Sequence, residues 1–340
     1  MIKNSYKFLF IIFMMVGTLI AVSSSAWFSI WMGLEINLLS FIPLMMSSKN
    51  LFSSESSLKY FLTQALASAI FLFAIIILYL FLNFKINLLY FNYMLISSTM
   101  MLKMGAAPFH FWFPSVMEGL NWYSNLLLMT WQKIAPLMIM SYTINLNLLI
   151  FVIICSMIFG SIGGINQTSL RKLLAFSSIN HLGWMIAGMI NNETIWFSYF
   201  LFYTFLNFSV VNLFNNFKMF HINQMFNMFQ NNNFFKISLS ILMISLGGLP
   251  PFLGFFPKWM IIETLIKNNM YLILTFMLFL TLITLYFYLR ICYTSLLLNH
   301  VNMNWNFKFS LLNKKMKLML FVNFISMMGL FMINLLYMFI

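Results

Sequence analysis

Four ionisable residues, Glu35, Lys103, Lys133 and Lys258, lie in the middle of apolar stretches long enough to cross a membrane. A lysine at the centre of a bilayer costs at least ~2.5 kcal/mol on insertion scales, and residues of this kind mark ion or proton pathways. Three amines and a carboxylate at hydrocarbon depth therefore read first as groups that take up and release protons. Lys103 stands five residues before Pro108, about 22 Å into a helix starting at Leu88, too deep to snorkel. Glu35 is the acidic residue at comparable depth in the first half of the chain. Bringing a carboxylate near a buried amine, or moving it away, switches that amine between holding and releasing a proton.

Lys133 belongs to Trp131-Gln132-Lys133-Ile134-Ala135-Pro136. Pro136 has no N–H for the Gln132 carbonyl, which is left to bind water or a side chain beside Lys133, a natural hydrated station. Lys258 follows Pro257, and His181, in Ser177-Ser178-Ile179-Asn180-His181, lies on a segment whose polar face could link the two halves of the chain. Each has a structural alternative: the lysines as charges satisfied by freed carbonyls, His181 as a bonded core residue. Arg290 stays charged and reads as structural or field-setting. Glu118 and His110 read as helix-end or packing residues.

The elements that position these groups follow from hydropathy. Hydrophobic residues make up 62% of the chain and charged residues 7%, with a mean hydropathy of +0.93, far from the soluble range. Eleven segments reach the ~20 residues a spanning helix needs: 5–24, 27–46, 58–82, 88–117, 122–142, 146–165, 173–190, 194–215, 237–266, 270–298 and 318–340. Between them only 216–236 and 299–317 exceed a simple turn, which leaves no room for a soluble domain. The first segment, with Lys3 and Lys7 before it and Ala21-Val22-Ser23 near its end, also fits a cleavable signal peptide; sequencing of the mature N-terminus decides.

The eighteen Lys and Arg face five Glu and no Asp, for a net charge of +13. No basic run is interleaved with polar, groove-forming sequence, so nucleic acid is not a partner and the charge reads as topology. The N-terminus and every second loop hold Lys3, Lys7, Lys49, Lys59, Arg171, Lys172, Lys218, Lys236, Lys308, Lys314, Lys315 and Lys317, against Lys85 and Lys267 on the other side. The positive-inside rule then puts the N-terminus on the matrix or cytoplasmic side. The abundance of Phe and Met fits an AT-rich, organellar gene and carries no functional weight. Cys155 and Cys292 are isolated, without spacing for zinc, haem or an iron–sulfur cluster, and no glycine fingerprint follows a strand, so no metal or nucleotide site is expected here.

Two of the segments are overlong and carry helix breakers. Shifting the stretch 105–114 by 143 positions aligns Gly105 with Gly248, Pro108 with Pro251, Phe109 with Phe252, Phe113 with Phe256 and Pro114 with Pro257. By the segment count the two copies start on opposite sides of the membrane. Paired interrupted helices in inverted halves characterise transporters, because freed backbone groups are tolerated at depth only beside a cavity or polar path. The plainer alternative is a pair of packing kinks, since Gly and Pro are common in membrane helices. Lys258 follows its proline whereas Lys103 precedes its own, so the repeat does not extend to the lysines. The expectation is an all-α polytopic membrane protein with about eleven transmembrane helices, an inverted repeat and two broken helices. It forms one transmembrane domain over 1–340, with halves 1–145 and 146–298 and a C-terminal helix 318–340.

Particular stretches also carry a family likeness: Trp31-Met32-Gly33-Leu34-Glu35-Ile36-Asn37, Lys59-Tyr60-Phe61-Leu62-Thr63-Gln64, Gly105-Ala106-Ala107-Pro108-Phe109-His110-Phe111-Trp112, Thr130-Trp131-Gln132-Lys133, Gly163-Gly164-Ile165-Asn166-Gln167-Thr168 and Ser245-Leu246-Gly247-Gly248-Leu249-Pro250-Pro251 with Pro257-Lys258-Trp259. Through them the chain resembles, end to end, the chain 2 family of NADH–ubiquinone oxidoreductase (respiratory complex I) of animal mitochondria. That resemblance implies an antiporter-like, proton-translocating subunit of the membrane arm, in the mitochondrial inner membrane. It also implies a relay through Glu35, Lys103, Lys133 and Lys258, to which the polar face of its helix adds His181. NADH, FMN, iron–sulfur clusters and ubiquinone would sit on other subunits, with no cofactor on this chain. The partners implied are neighbouring antiporter-like and small membrane-arm subunits, with lipids such as cardiolipin. Two rivals share the residue pattern: a free-standing cation/proton antiporter, active alone in liposomes, and a structural membrane-arm subunit whose buried charges only fix packing.

Overall fold

The computed structural model describes residues 5–47, 50–84, 89–190, 192–228, 233–296 and 321–330. The expected loop over 299–317, most of the last segment, and Lys3, Lys49 and Lys85 lie outside the described residues. Apart from one isolated antiparallel bridge between Ser169 and His221, the regular structure of the described residues is helical. Six of the helices are long and apolar enough to cross a membrane by length and composition: Tyr6–Ser23, Trp27–Met45, Leu51–Leu80, Leu146–Ile165, Glu193–Phe217 and Tyr271–Leu296. The chain divides into two compact units, Met1–Cys155 and Ser156–Ile340.

The first unit contains α1 (Ser5–Ser23), α2 (Trp27–Met45), α3 (Leu51–Phe84), α4 (Leu89–Met104), α5 (Trp112–Gly119), α6 (Trp122–Met129), α7 (Trp131–Tyr142) and the start of α8 (Leu146–Ile165). Helices in lipid gain little from hydrophobicity alone and associate through small residues that admit close backbones. Gly17 and Gly33 do this for α1 and α2: a Cβ on Gly33 would lie 2.7 Å from the Ala21 nitrogen, and one on Gly17 would lie 2.9 Å from the Asn37 nitrogen. Asn37 and Leu34 are thereby turned inward with Leu38, all buried. α3 begins two turns earlier than hydropathy indicates. Its polar start, Ser53-Ser54-Glu55-Ser56-Ser57, stays helical through serine hydroxyls bonded back to the preceding turn and an exposed Glu55–Lys59 pair. The segment expected as one helix over 122–142 is two. Thr130 leaves the helical path (φ −113°, ψ −73°), and both its amide and its hydroxyl bond back to the Leu126 carbonyl, a side-chain contact that bends helices.

The second unit holds the rest of α8, α9 (Leu170–Met189), α10 (Glu193–Phe217), α11 (Asn223–Met228), α12 (Asn233–Gly247), α13 (Phe255–Lys267), α14 (Tyr271–Leu296) and α15 (Phe321–Leu330). α9 is buried along nearly its whole length, walled by α10 and α13. Gly160 and Gly183 bring α8 against it, with Cβ positions only 2.7 Å from the Asn180 nitrogen and 2.6 Å from Ser156 Oγ.

Candidate functional site: two helix interruptions and their buried lysines

α4 stops where the breakers stand. Gly105 takes φ +71°, its N–H bonds the Leu102 carbonyl, and the Ala106 N–H reaches the Met101 carbonyl at 3.0 Å. This double bond is a Schellman ending, which a residue with a Cβ adopts only under strain. After residues 105–111 the helix restarts as α5 at Trp112. The same local geometry recurs 143 residues further on. Gly248 takes φ +75°, its N–H bonds Ser245 and the Leu249 N–H reaches Ile244, while α12 ends at Gly247 and α13 starts at Phe255. Each of those positions is 143 beyond its counterpart in the first copy. The Ala107–Pro108 and Pro250–Pro251 peptide bonds are both cis.

Helix ends inside a membrane leave carbonyls that must find donors. In the first copy Trp112 Nε1 donates to the Leu102 carbonyl at 3.1 Å and Gln64 Nε2 to that of Lys103 at 3.3 Å. In the second, Lys258 Nζ folds back and donates to the Gly247 carbonyl at 2.7 Å. Lys258 is 6% exposed, with its ammonium 5.8 Å from the Trp184 ring centroid.

The Lys103 side chain is buried and lies 5.9 Å from the Phe71 ring centroid. It opens on a cavity of about 20 Å³ lined by Leu34, Asn37, Leu38, Tyr60, Gln64, Lys103, Gln132 and Pro136. That is room for about one water with several polar partners. The polar lining is itself linked: Tyr60 Oη donates to Gln132 Oε1 (3.4 Å) and Gln132 Nε2 donates to Asn37 Oδ1 (3.0 Å). Three helices thus meet at Gln132. Lys133 is buried, its ammonium 5.1 Å over the Phe113 ring, and it is not part of the cavity lining.

Glu35 is half-buried on the flank of α2, outside the cavity lining. Among the described residues no ion pair within 4 Å joins it to Lys103, whereas Glu55–Lys59 and Glu263–Lys267 do pair, both exposed. His181 is buried in the second unit, its Nδ1 2.8 Å from Tyr199 Oη and its ring 5.2 Å from that of Tyr203. Lys103 and Lys133 therefore belong to the first unit, His181 and Lys258 to the second. Among the described residues no group of three His, Cys, Asp or Glu side chains gathers that could hold a metal ion.

Arg290 has a structural place. Its guanidinium donates from Nη1 to the Ile165 carbonyl and from Nη2 to the Gln167 carbonyl at 2.6 Å, closing the C-terminal end of α8. Charged hydrogen bonds of this kind contribute about 1.5–3 kcal/mol each. Arg290→Met is expected to lower stability by about 3 kcal/mol or more, read as a lower thermal midpoint of the intact assembly; an unchanged midpoint would remove this role.

Asn37, Tyr60, Gln64 and Gln132 are site residues that a search for ionisable groups passes over. Tyr60 and Gln64 are four apart on α3 and Asn37 sits on the Leu34/Leu38 face of α2, so polar residues recurring on one face of an apolar helix were the available signal. Tyr199 and Tyr203 escape for another reason: tyrosine is ordinary in membrane helices.

Residues 24–284 match the NADH:quinone oxidoreductase/Mrp antiporter transmembrane family, and residues 285–337 match the NADH dehydrogenase subunit 2 C-terminus. The chain is 56% identical over 331 residues to NADH-ubiquinone oxidoreductase chain 2 of Anopheles gambiae, covering 97% of each. To the chain 2 of Locusta migratoria it is 43% identical over 335 residues, covering 97% of this chain and 96% of that one. Among solved structures it is similar to a chain of respiratory complex I from Thermus thermophilus with bound aureothin, at a TM-score of 0.82 and 20% identity over 96% of this chain and 79% of that chain. A chain of the Mrp complex from Dietzia sp. DQ12-45-1b is similar at a TM-score of 0.74 and 15% identity, over 84% and 59%. At such identities the two structural likenesses concern the fold alone.

Proposed function

This chain belongs to the NADH:quinone oxidoreductase/Mrp antiporter family, among its NADH–ubiquinone oxidoreductase chain 2 members, and on that premise we propose that it moves protons across the mitochondrial inner membrane as a membrane-arm subunit of respiratory complex I. Electron transfer from NADH to ubiquinone takes place on other subunits, which carry NADH, FMN, the iron–sulfur clusters and the quinone. Neighbouring antiporter-like and small membrane-arm subunits flank this chain, and lipids such as cardiolipin fill the remaining surface. In the proposed topology eleven helices cross the membrane, α4 with α5 and α12 with α13 being the broken pairs of an inverted repeat. The N-terminus faces the matrix and the C-terminus the intermembrane space.

The proton-handling groups are Glu35, Lys103 and Lys133 in the first unit and His181 and Lys258 in the second, with protons passing from the former set to the latter. The single observation that carries this reading is the setting of Lys103: a buried amine at a helix interruption, opening on a water-sized cavity lined by three amides and a phenol. The amine faces a polar chamber with room for a water, through which a proton can reach or leave it. Glu35 lies outside the lining, on the helix that contributes Leu34, Asn37 and Leu38 to it, and its carboxylate biases that amine through space. Lys103→Met in the assembled complex is expected to lower NADH-driven proton pumping several-fold while the complex still assembles. Wild-type pumping from such a complex would end the assignment.

A further inference from the structure

On α9 the side chains of Ser177, Ser178 and His181 share one face. The two serine hydroxyls bond back to the Leu174 and Ala175 carbonyls, whereas His181 Nδ1 reaches across to α10, 2.8 Å from Tyr199 Oη. Tyr199 and His181 are 2% and 6% exposed, so bulk water does not compete for that bond.

The chemistry of the pair is restrictive. A neutral imidazole has one donor and one acceptor nitrogen, whereas an imidazolium has two donors. A phenol hydroxyl can serve either state, but only by reversing its direction. We propose that Tyr199 is a positioning residue for His181: its hydroxyl donates to Nδ1 of the neutral ring, holding the single ring proton on Nε2, and turns to accept from Nδ1–H once the ring is doubly protonated. The proton gained enters at Nδ1. Tyr199 hands over its own hydrogen there while taking the excess proton from a protonated water on its far side, which is left as neutral water, so Tyr199 begins and ends as a neutral phenol. The Tyr203 ring stands 5.2 Å from that of His181, so a second phenol lies beside the pair. The inference rests on His181 lying on the proton path.

The test compares Tyr199→Phe, His181→Gln and the double variant in the assembled complex, reading protons pumped per NADH oxidised and coupled turnover. Tyr199→Phe removes one hydrogen-bonding atom and is expected to slow coupled turnover roughly two- to tenfold. Because Tyr199 acts through His181, the double variant is expected to be no slower than His181→Gln alone. Additive losses would mean that Tyr199 only packs, and would overturn the inference. A slow His181→Gln beside a wild-type Tyr199→Phe would overturn it while sparing the relay; a wild-type His181→Gln would remove His181 from the path and the inference with it. Should Tyr199→Phe fail to assemble, Tyr199→Met, smaller, flexible and without a donor, is read by the same comparison.

Discussion

Gly254→Ala is expected to destabilise the assembled protein by ~3 kcal/mol or more, and Gly254→Val to abolish assembly. Gly254 sits in the helical region (φ −67°), so its constraint is space and not backbone freedom. A Cβ there would lie 1.8 Å from the Ser245 carbonyl oxygen, which is backbone near the end of α12 and cannot rotate away. The returning chain after residues 248–254 passes over that end so closely because the break must fold back at once to start α13. Separating the two helices to admit a methyl group would also pull Lys258 from the Gly247 carbonyl. Native gels of membranes carrying the two variants give the outcome directly; normal levels of Gly254→Ala complex with an unchanged thermal midpoint would show that the close approach is not required. In the first copy the equivalent residue is Phe111, 75% exposed, so the corresponding turn has no such contact and the two copies differ where their lysines differ.

The interruptions could be read from the sequence because Gly and Pro act locally. A glycine that alone accepts φ near +70° and a proline without an N–H dictate a helix end wherever they stand, and the 143-residue offset between Gly105 and Gly248 carries over to the helix ends on either side. Six of the long apolar segments were legible for a different reason: the bilayer imposes a length. What depended on distant partners was not. Thr130 carries no breaker signal, and its departure from the helix rests on a hydroxyl bonded to the preceding turn. The start of α3 was hidden because hydropathy reports where lipid begins, whereas the helix runs past that point. The cavity beside Lys103 needed Asn37, Tyr60, Gln64 and Gln132 from three helices, a juxtaposition that no spacing along the chain encodes. Glu35 shows the limit most plainly: its depth could be counted, its direction could not.

Lys258→Arg separates the two roles that Lys258 can play. As a structural charge it caps the Gly247 carbonyl, and the donor at 2.7 Å with the Trp184 ring nearby is a satisfied arrangement for that role. As a proton carrier it must also lose its proton, which an amine in a buried site can do and a guanidinium cannot. Arginine keeps the positive charge and supplies donors for the carbonyl, although its larger head against Gly248, whose Cβ position already falls 2.7 Å from Lys258 Cδ, costs about 1–3 kcal/mol of packing. If Lys258 carries protons, Lys258→Arg complex is expected to assemble with coupled proton pumping lower by on the order of tenfold. Lys258→Met, which lacks the donor, is expected to lose assembly as well, because a carbonyl at an interrupted helix end is left without a partner, at about 1–3 kcal/mol. Near-normal pumping by the Lys258→Arg complex would assign Lys258 to the cap alone, and the second unit would then have to move its protons through His181.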